Sequence, residues 1–179
     1  HQLLRLVSAF ILEWIGYQRE CFSSMEGILL LDDIMGFLGE AEYQEFVVPY
    51  FQKIFRHFNA KINFLHNDAS GLITAKYLKD MSVHLYNFSA DHGLEEMREL
   101  AGSEITLLGN LPPRDVLADG TPDQVRQAVE RSLGPGKKKA RLIVSCGGGV
   151  PPGVSTQNIQ ACLEAVQHYS NGLITRGIP

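Results

Sequence analysis

His66 and Asp68 stand two residues apart at the end of the apolar run INFLHND, so in an extended segment both side chains leave the backbone on the same side. Imidazole and carboxylate both ligate zinc, and a thiolate would supply a third donor while leaving a position open for substrate. Cys146, closing the run RLIVSC, is the candidate thiolate. The H-x-D spacing is a weak pattern by itself, because the same two residues can simply cap a loop and hydrogen-bond to each other. Asp32 and Asp33 follow GILLL and are adjacent, so only one of them can face a shared pocket. That one could act as a general base or hold a cationic or pyrrole N–H group, and an Asx-type turn is the alternative use of either. Asn110, after ITLLG, is placed to orient a substrate. Gly147, Gly148 and Gly149 precede VPPG and permit close approach of backbone N–H groups to a phosphate or carboxylate. They match neither G-x-G-x-x-G nor the Walker A pattern, which argues against a nucleotide site.

These residues share a position: each lies where an apolar run gives way to a loop. The runs are residues 28–31, 62–65, 83–88, 105–108 and 141–144, with helical patterns between them. Residues 28–31 form an unbroken apolar run, as expected for a strand covered on both faces. Leu3, Leu6, Val7, Phe10, Ile11 and Trp14 repeat at three-and-four spacing, predicting a helix that packs this stripe on a sheet. Phe46, Val47, Tyr50, Phe51, Ile54 and Phe58 do the same, with Pro49 kinking that helix or marking its start. A short helix is expected over residues 71–80 and another over 94–100. Thr121-Pro122-Asp123-Gln124 combines an N-cap hydroxyl, a first-turn proline and a capping-box glutamine, so a helix should run from there to about Leu133. Ser155 or Thr156 should cap a last helix carrying Ile159, Leu163 and Val166. Strand and helix in alternation select a parallel sheet. The expected fold class is α/β, a parallel TIM-type (β/α) barrel of which this single domain, residues 1–179, supplies the C-terminal part with about five strands. An open doubly wound sheet is the structural rival. Since the series opens on a helix, the first three strands of the barrel are expected upstream of His1.

The 179 residues are 45% hydrophobic with a net charge of −4 and a pI near 5.9, which gives no electrostatic reason to expect nucleic acid or an anionic membrane as partner. The basic run Lys137, Lys138, Lys139 follows Gly134-Pro135-Gly136 and reads as a solvated loop. The stretch from Leu3 to Ile15 carries Arg5 and Glu13 and is too short and too charged for a membrane span. Three cysteines, Cys21, Cys146 and Cys162, show no disulfide-framework spacing, which fits a reducing compartment such as the cytoplasm. Cys162 sits among apolar neighbours, and His57, His84, His92 and His168 have no partner at metal-ligand spacing.

Several ordered segments resemble one family. HQLLR, LLLDDIMGFLGEAEYQEFVVPYFQKIF, LLGNLPP with the later DGTPDQVRQAV, and CGGGVPPGVSTQNIQACLEAV together are similar to the C-terminal half of the uroporphyrinogen decarboxylase superfamily. The resemblance implies a barrel, a homodimer and one of two chemistries. One is cofactor-free decarboxylation of a tetrapyrrole in porphyrin (heme) biosynthesis. The other is zinc-assisted methyl transfer between a corrinoid carried on a partner protein and a small-molecule acceptor. Decarboxylases of this superfamily carry histidine in the last glycine loop, where this chain has Gly148, and serine where it has Asp33. The methyltransferases carry H-x-C and a loop cysteine. Here His66 matches, Asp68 replaces the first cysteine, Gly148 falls at the second, and Cys146 lies two residues earlier. Zinc held by His66, Asp68 and Cys146, with Asp32 or Asp33 and Asn110 in the pocket, is the leading expectation. Decarboxylation and a noncatalytic binding or assembly role are the alternatives.

Overall fold

A chain that alternates strand and helix must return each strand to the same edge of the sheet, and how it does so separates a barrel from a doubly wound sheet. The computed structural model describes residues 1–69, 72–134 and 141–170. The expected helix start at Gly71 and the run Lys137 to Lys139 lie outside these. Five strands, β1 (Gly27–Leu31), β2 (Ile62–Asn67), β3 (Leu85–Phe88), β4 (Thr106–Leu111) and β5 (Leu142–Cys146), form one sheet in the order of the sequence. All four pairings are parallel. A doubly wound sheet reverses its order part-way and puts helices on both faces. This sheet does neither, so the chain is a partial TIM-type barrel.

The pairing register sorts the side chains into two faces, because partners in a parallel ladder point the same way. One row runs Leu30, Leu65, Tyr86, Leu107, Leu142 and is covered by helices. These are α1 (Gln2–Cys21), α3 (Val48–Phe58), α4 (Leu72–Tyr77) and α5 (Leu94–Ala101), which contribute Ile15, Ile54, Phe55, Ala75, Met97 and Ala101 to the core. Further along, α6 (Pro122–Leu133) and α7 (Thr156–Ser170) pack Ala128, Val129, Leu133 and Ala165 around Leu111. The other row runs Leu31, His66, Asn87, Leu108, Ile143 and faces the concave side. Leu31 there is 65% exposed, and Leu29 and Ile143 are 48% exposed each. The expectation that residues 28–31 are covered on both faces is therefore corrected: their run is apolar on both sides, but one side lines the hollow of the barrel.

Local signals set most of the boundaries. Thr121 Oγ1 accepts from Gln124 N at 3.3 Å while Gln124 Oε1 accepts from Thr121 N at 2.7 Å, closing the capping box at the start of α6. Pro49 lies in the first turn of α3, separated by Val47 from α2 (Glu40–Phe46), so it marks a start and not a kink. Ser155 Oγ accepts from Asn158 N at 3.1 Å and begins α7. Two expectations about helix faces fail for most of the residues named. On α1, Leu3, Leu6, Val7, Phe10 and Trp14 are exposed, and Ser8 and Ile15 are the residues buried. On α7, Ile159 and Leu163 are exposed, while Asn158, Ala161 and Ala165 face inward, Asn158 Nδ2 donating to Leu117 O at 2.9 Å and Gly120 O at 2.8 Å. The inward face of α1 is made by Ser8 and Ile15 with Ile11 and Leu12 beside them, and that of α7 by Asn158, Ala161 and Ala165 with Cys162 and Val166, so each expected stripe sends one residue, Ile11 or Val166, to the layer beneath.

Candidate metal centre

Strands β2, β4 and β5 extend further than their apolar runs, so His66, Asn110 and Cys146 are strand residues and not the first residues of loops, as Asn87 is within β3. Strand parity therefore decides where each points. His66 is paired with Leu31 and with Asn87 on the concave row. Continuing the same register two residues past Leu31 and His66 brings Asp33 opposite Asp68. The result is a cluster: ligand atoms of Asp33, His66 and Asp68 all lie within 4.8 Å of one another. Asp68 N donates to Asp33 Oδ1 at 3.1 Å, which ties the two loops together.

The imidazole is oriented from behind. Asn87 Nδ2 donates to Leu108 O at 2.7 Å and to Cys146 O at 3.0 Å, so its amide oxygen is the atom turned toward His66, 2.7 Å from Nδ1. Nδ1 of a neutral His66 must then carry the proton and donate it to Asn87 Oδ1. Nε2 is left with a lone pair, 3.9 Å from Asp68 Oδ2. This is the tautomer a metal ligand needs, with the hydrogen-bonded support that such ligands use. The Asp68 carboxyl is held above the usual carboxylate range, chiefly by burial and then by the neighbouring Asp33 charge, with His66 acting in the opposite direction. Two carboxylates and an imidazole lone pair converging on one point gain from a proton or a cation placed between them.

Other expected site residues fall elsewhere. Cys146 pairs with Leu111 on the helix-facing row, is 3% exposed and packs with Leu117, Val125 and Ala161. Burial and the nearby Cys162 push its thiol up from the ordinary cysteine value. A zinc site of His66, Asp68 and Cys146 is thus corrected: the sheet lies between the thiol and the imidazole. Asp32 is also turned away; its Oδ1 accepts from Met35 N at 3.2 Å, capping the 3-10 turn Ile34–Phe37. Of the Asp pair, Asp33 faces the cluster. Asn110 Nδ2 donates to His92 O, and the residue borders a cavity of about 880 Å³ beside Leu94, Arg98 and Arg131, between α5 and α6. In the glycine loop, Gly147 N is occupied by Leu111 O at 3.0 Å, and Gly148 lies against the Asp68 carboxylate. A second anion would be repelled there, which counts against a phosphate or carboxylate pocket at Gly147, Gly148 and Gly149.

Asp33 as a third donor and Asn87 as the support for His66 were not legible as such. Both depend on which residues of neighbouring strands are paired, and an alternating pattern within one strand does not contain that.

This geometry can be compared with known proteins. Residues 1–169 match the family described as Uroporphyrinogen decarboxylase (URO-D). The chain belongs to the URO-D family. It is similar to the uroporphyrinogen decarboxylases of Danio rerio (28% identical, 98% of this chain and 48% of the relative), Dichelobacter nodosus (27%, 81% and 41%) and Xylella fastidiosa (24%, 95% and 50%). It thus spans about half the length of the curated relatives it matches. Among solved structures, a methyltransferase from Methanosarcina mazei superposes with a TM-score of 0.69 at 17% identity, covering 82% of this chain and 43% of that one. That likeness speaks for the fold. In this chain the sheet divides the thiolate-containing set, while Asp33, His66 and Asp68 form a group that could hold a metal ion. Among the described residues no helix is long and apolar enough to cross a membrane.

Proposed function

We propose that this chain is the C-terminal part of a URO-D superfamily enzyme that performs cation-assisted methyl transfer, with Asp33, His66 and Asp68 holding the cation. The observation that carries this reading is the convergence of those three donors around an imidazole whose Nε2 is kept free by Asn87. Zinc is the cation of choice, since imidazole with carboxylate oxygen is a donor set it accepts. When bound, such an ion supplies Lewis acidity, lowering the pKa of a thiol or hydroxyl acceptor so that it is nucleophilic at neutral pH. The protein's part is to hold the donors and to fix His66 in the right tautomer through Asn87. The apolar concave wall around Leu29 and Leu31 gives the acceptor a surface to bind. A corrinoid on a partner protein is the proposed methyl donor, and a homodimer the proposed assembly.

Decarboxylation of uroporphyrinogen is the second reading, supported by the names of the relatives at 24–28% identity. Against it, Asp33 and Asp68 put negative charge where a substrate rich in carboxylates would have to bind. The experiment is elemental analysis of the purified protein and of His66→Ala and Asp68→Ala, followed by assay with methylcobalamin and a panel of thiols. Zinc in the wild type, its loss in both variants and methylated thiol as product are expected. A metal-free wild type, or release of CO₂ from uroporphyrinogen, would overturn the reading.

A further inference from the structure

Gly148 has φ +97°, and a Cβ built on it would lie 2.7 Å from Asp68 Oδ2 and 3.6 Å from Asp68 Cβ and Cγ. Its neighbour Gly147 is pinned. Gly147 N donates to Leu111 O at 3.0 Å, and a Cβ there would stand 2.3 Å from the backbone nitrogen of Ala90. The loop is therefore anchored at its base against β4 and the segment after β3, and it cannot swing outward to make room at position 148. A side chain at 148 would be accommodated by moving the one adjustable group it meets, the Asp68 carboxylate. That carboxylate is the group 3.9 Å from His66 Nε2.

We propose that Gly148 is a positioning residue for the cation site: by lacking a side chain it leaves the Asp68 carboxylate its place between the glycine loop and His66. This rests on the reading of Asp33, His66 and Asp68 as cation ligands. It distinguishes two glycines that look alike in sequence. Gly147 is required by backbone packing, so replacing it costs stability. Gly148 meets the far end of a flexible side chain, so replacing it costs donor geometry. Gly153 supplies the control, since it has a similar φ of +87° with nothing within 4 Å of its built Cβ. Alanine there carries the same backbone strain without the contact.

The test uses the full chain and measures Zn²⁺ affinity by competition with a chromophoric chelator, together with the visible absorption of the Co²⁺-loaded protein and the thermal unfolding midpoint. Gly148→Ala should weaken Zn²⁺ binding by about tenfold or more, the size expected when the support of a ligand is disturbed, and change the Co²⁺ spectrum. Gly153→Ala should bind as the wild type does, although both variants unfold at lower temperature. In an Asp68→Ala background, where the contact is gone, the further effect of Gly148→Ala on the unfolding midpoint should shrink to that of Gly153→Ala. Equal affinity of Gly148→Ala and Gly153→Ala overturns the proposal and leaves the cation site standing; a wild type that binds no Zn²⁺ overturns both. Should Gly148→Ala fail to fold, the double variant Gly148→Ala/Asp68→Gly decides. Recovery of folding supports the contact, and persistent failure overturns it.

Discussion

The three cysteines lie apart from the donor cluster and differ in exposure. Cys21 is exposed at the end of α1, Cys146 is buried and Cys162 is partly buried, with burial pushing both inner thiols up. A thiol reagent at neutral pH should modify Cys21 alone in the native chain and all three residues in denaturant, and removing zinc should not expose Cys146. Fast native labelling of Cys146 would contradict its position on the helix-facing row. Asn87 permits a sharper measurement. Asn87→Leu leaves His66 Nδ1 without its acceptor, and Zn²⁺ affinity should fall by about tenfold to a hundredfold, as for other supporting partners of metal ligands. Unchanged affinity would mean that the Asn87 contact is incidental. The raised Asp68 carboxyl also fixes a pH trend. In the metal-free fold Asp68 keeps its proton at pH values where the unfolded chain has lost it. Stability therefore falls as pH rises from the usual carboxylate range through the raised value. Partial exposure of Asp68 makes the effect small, and Asp68→Asn should abolish that slope in denaturant titrations.

At the scale of elements, the capping box was legible because all its atoms belong to four consecutive residues. Thr121→Ala should cost about 1 kcal/mol, measured by urea denaturation, and a loss well under half of that would show that tertiary contacts hold the first turn of α6 without it. Strands were legible in kind and order, since apolar runs between helical patterns admit few other arrangements. Their ends were not. His66 and Asn110 are polar, so the apolar runs stop short of them, yet the parallel ladder continues through them because backbone pairing is indifferent to side-chain polarity. Helix faces misled for a related reason. Periodicity finds the stripe richest in large apolar residues, but the inward face of α1 centres on Ser8 and Ile15 and that of α7 on Asn158, Ala161 and Ala165, because the layer each helix meets decides which side is covered. The ligand set failed in the same way. Cys146 ends β5 and His66 is the last residue but one of β2, and parity across three intervening pairings was needed to see that they face opposite directions.

For the molecule as a whole, the concave face is the feature with the largest consequence. Leu29, Leu31, Ile62 and Ile143 form an exposed apolar surface on a sheet whose β1 and β5 each have one strand neighbour among the described residues. Such a surface is unusual for a soluble monomer. The 179-residue chain by itself should therefore self-associate in sedimentation velocity, and the paired variant Leu31→Glu/Ile143→Glu should shift it toward monomer without loss of helical circular dichroism. A wild-type chain that stays monomeric at high concentration would show that this surface is tolerated in water.

The ordering of strands by sequence has one more implication. Each strand finds its partner in the next βα unit along the chain, so contacts close over short stretches and assembly can proceed by accretion, one unit docking on the last. The donors Asp33, His66 and Asp68 come from a single such step, β1 to β2, with β3 supplying the brace Asn87 and the loop after β5 the glycine that abuts Asp68. A kinetic experiment that watches His66 during refolding should see it reach its native environment before Gly148 comes to rest against Asp68.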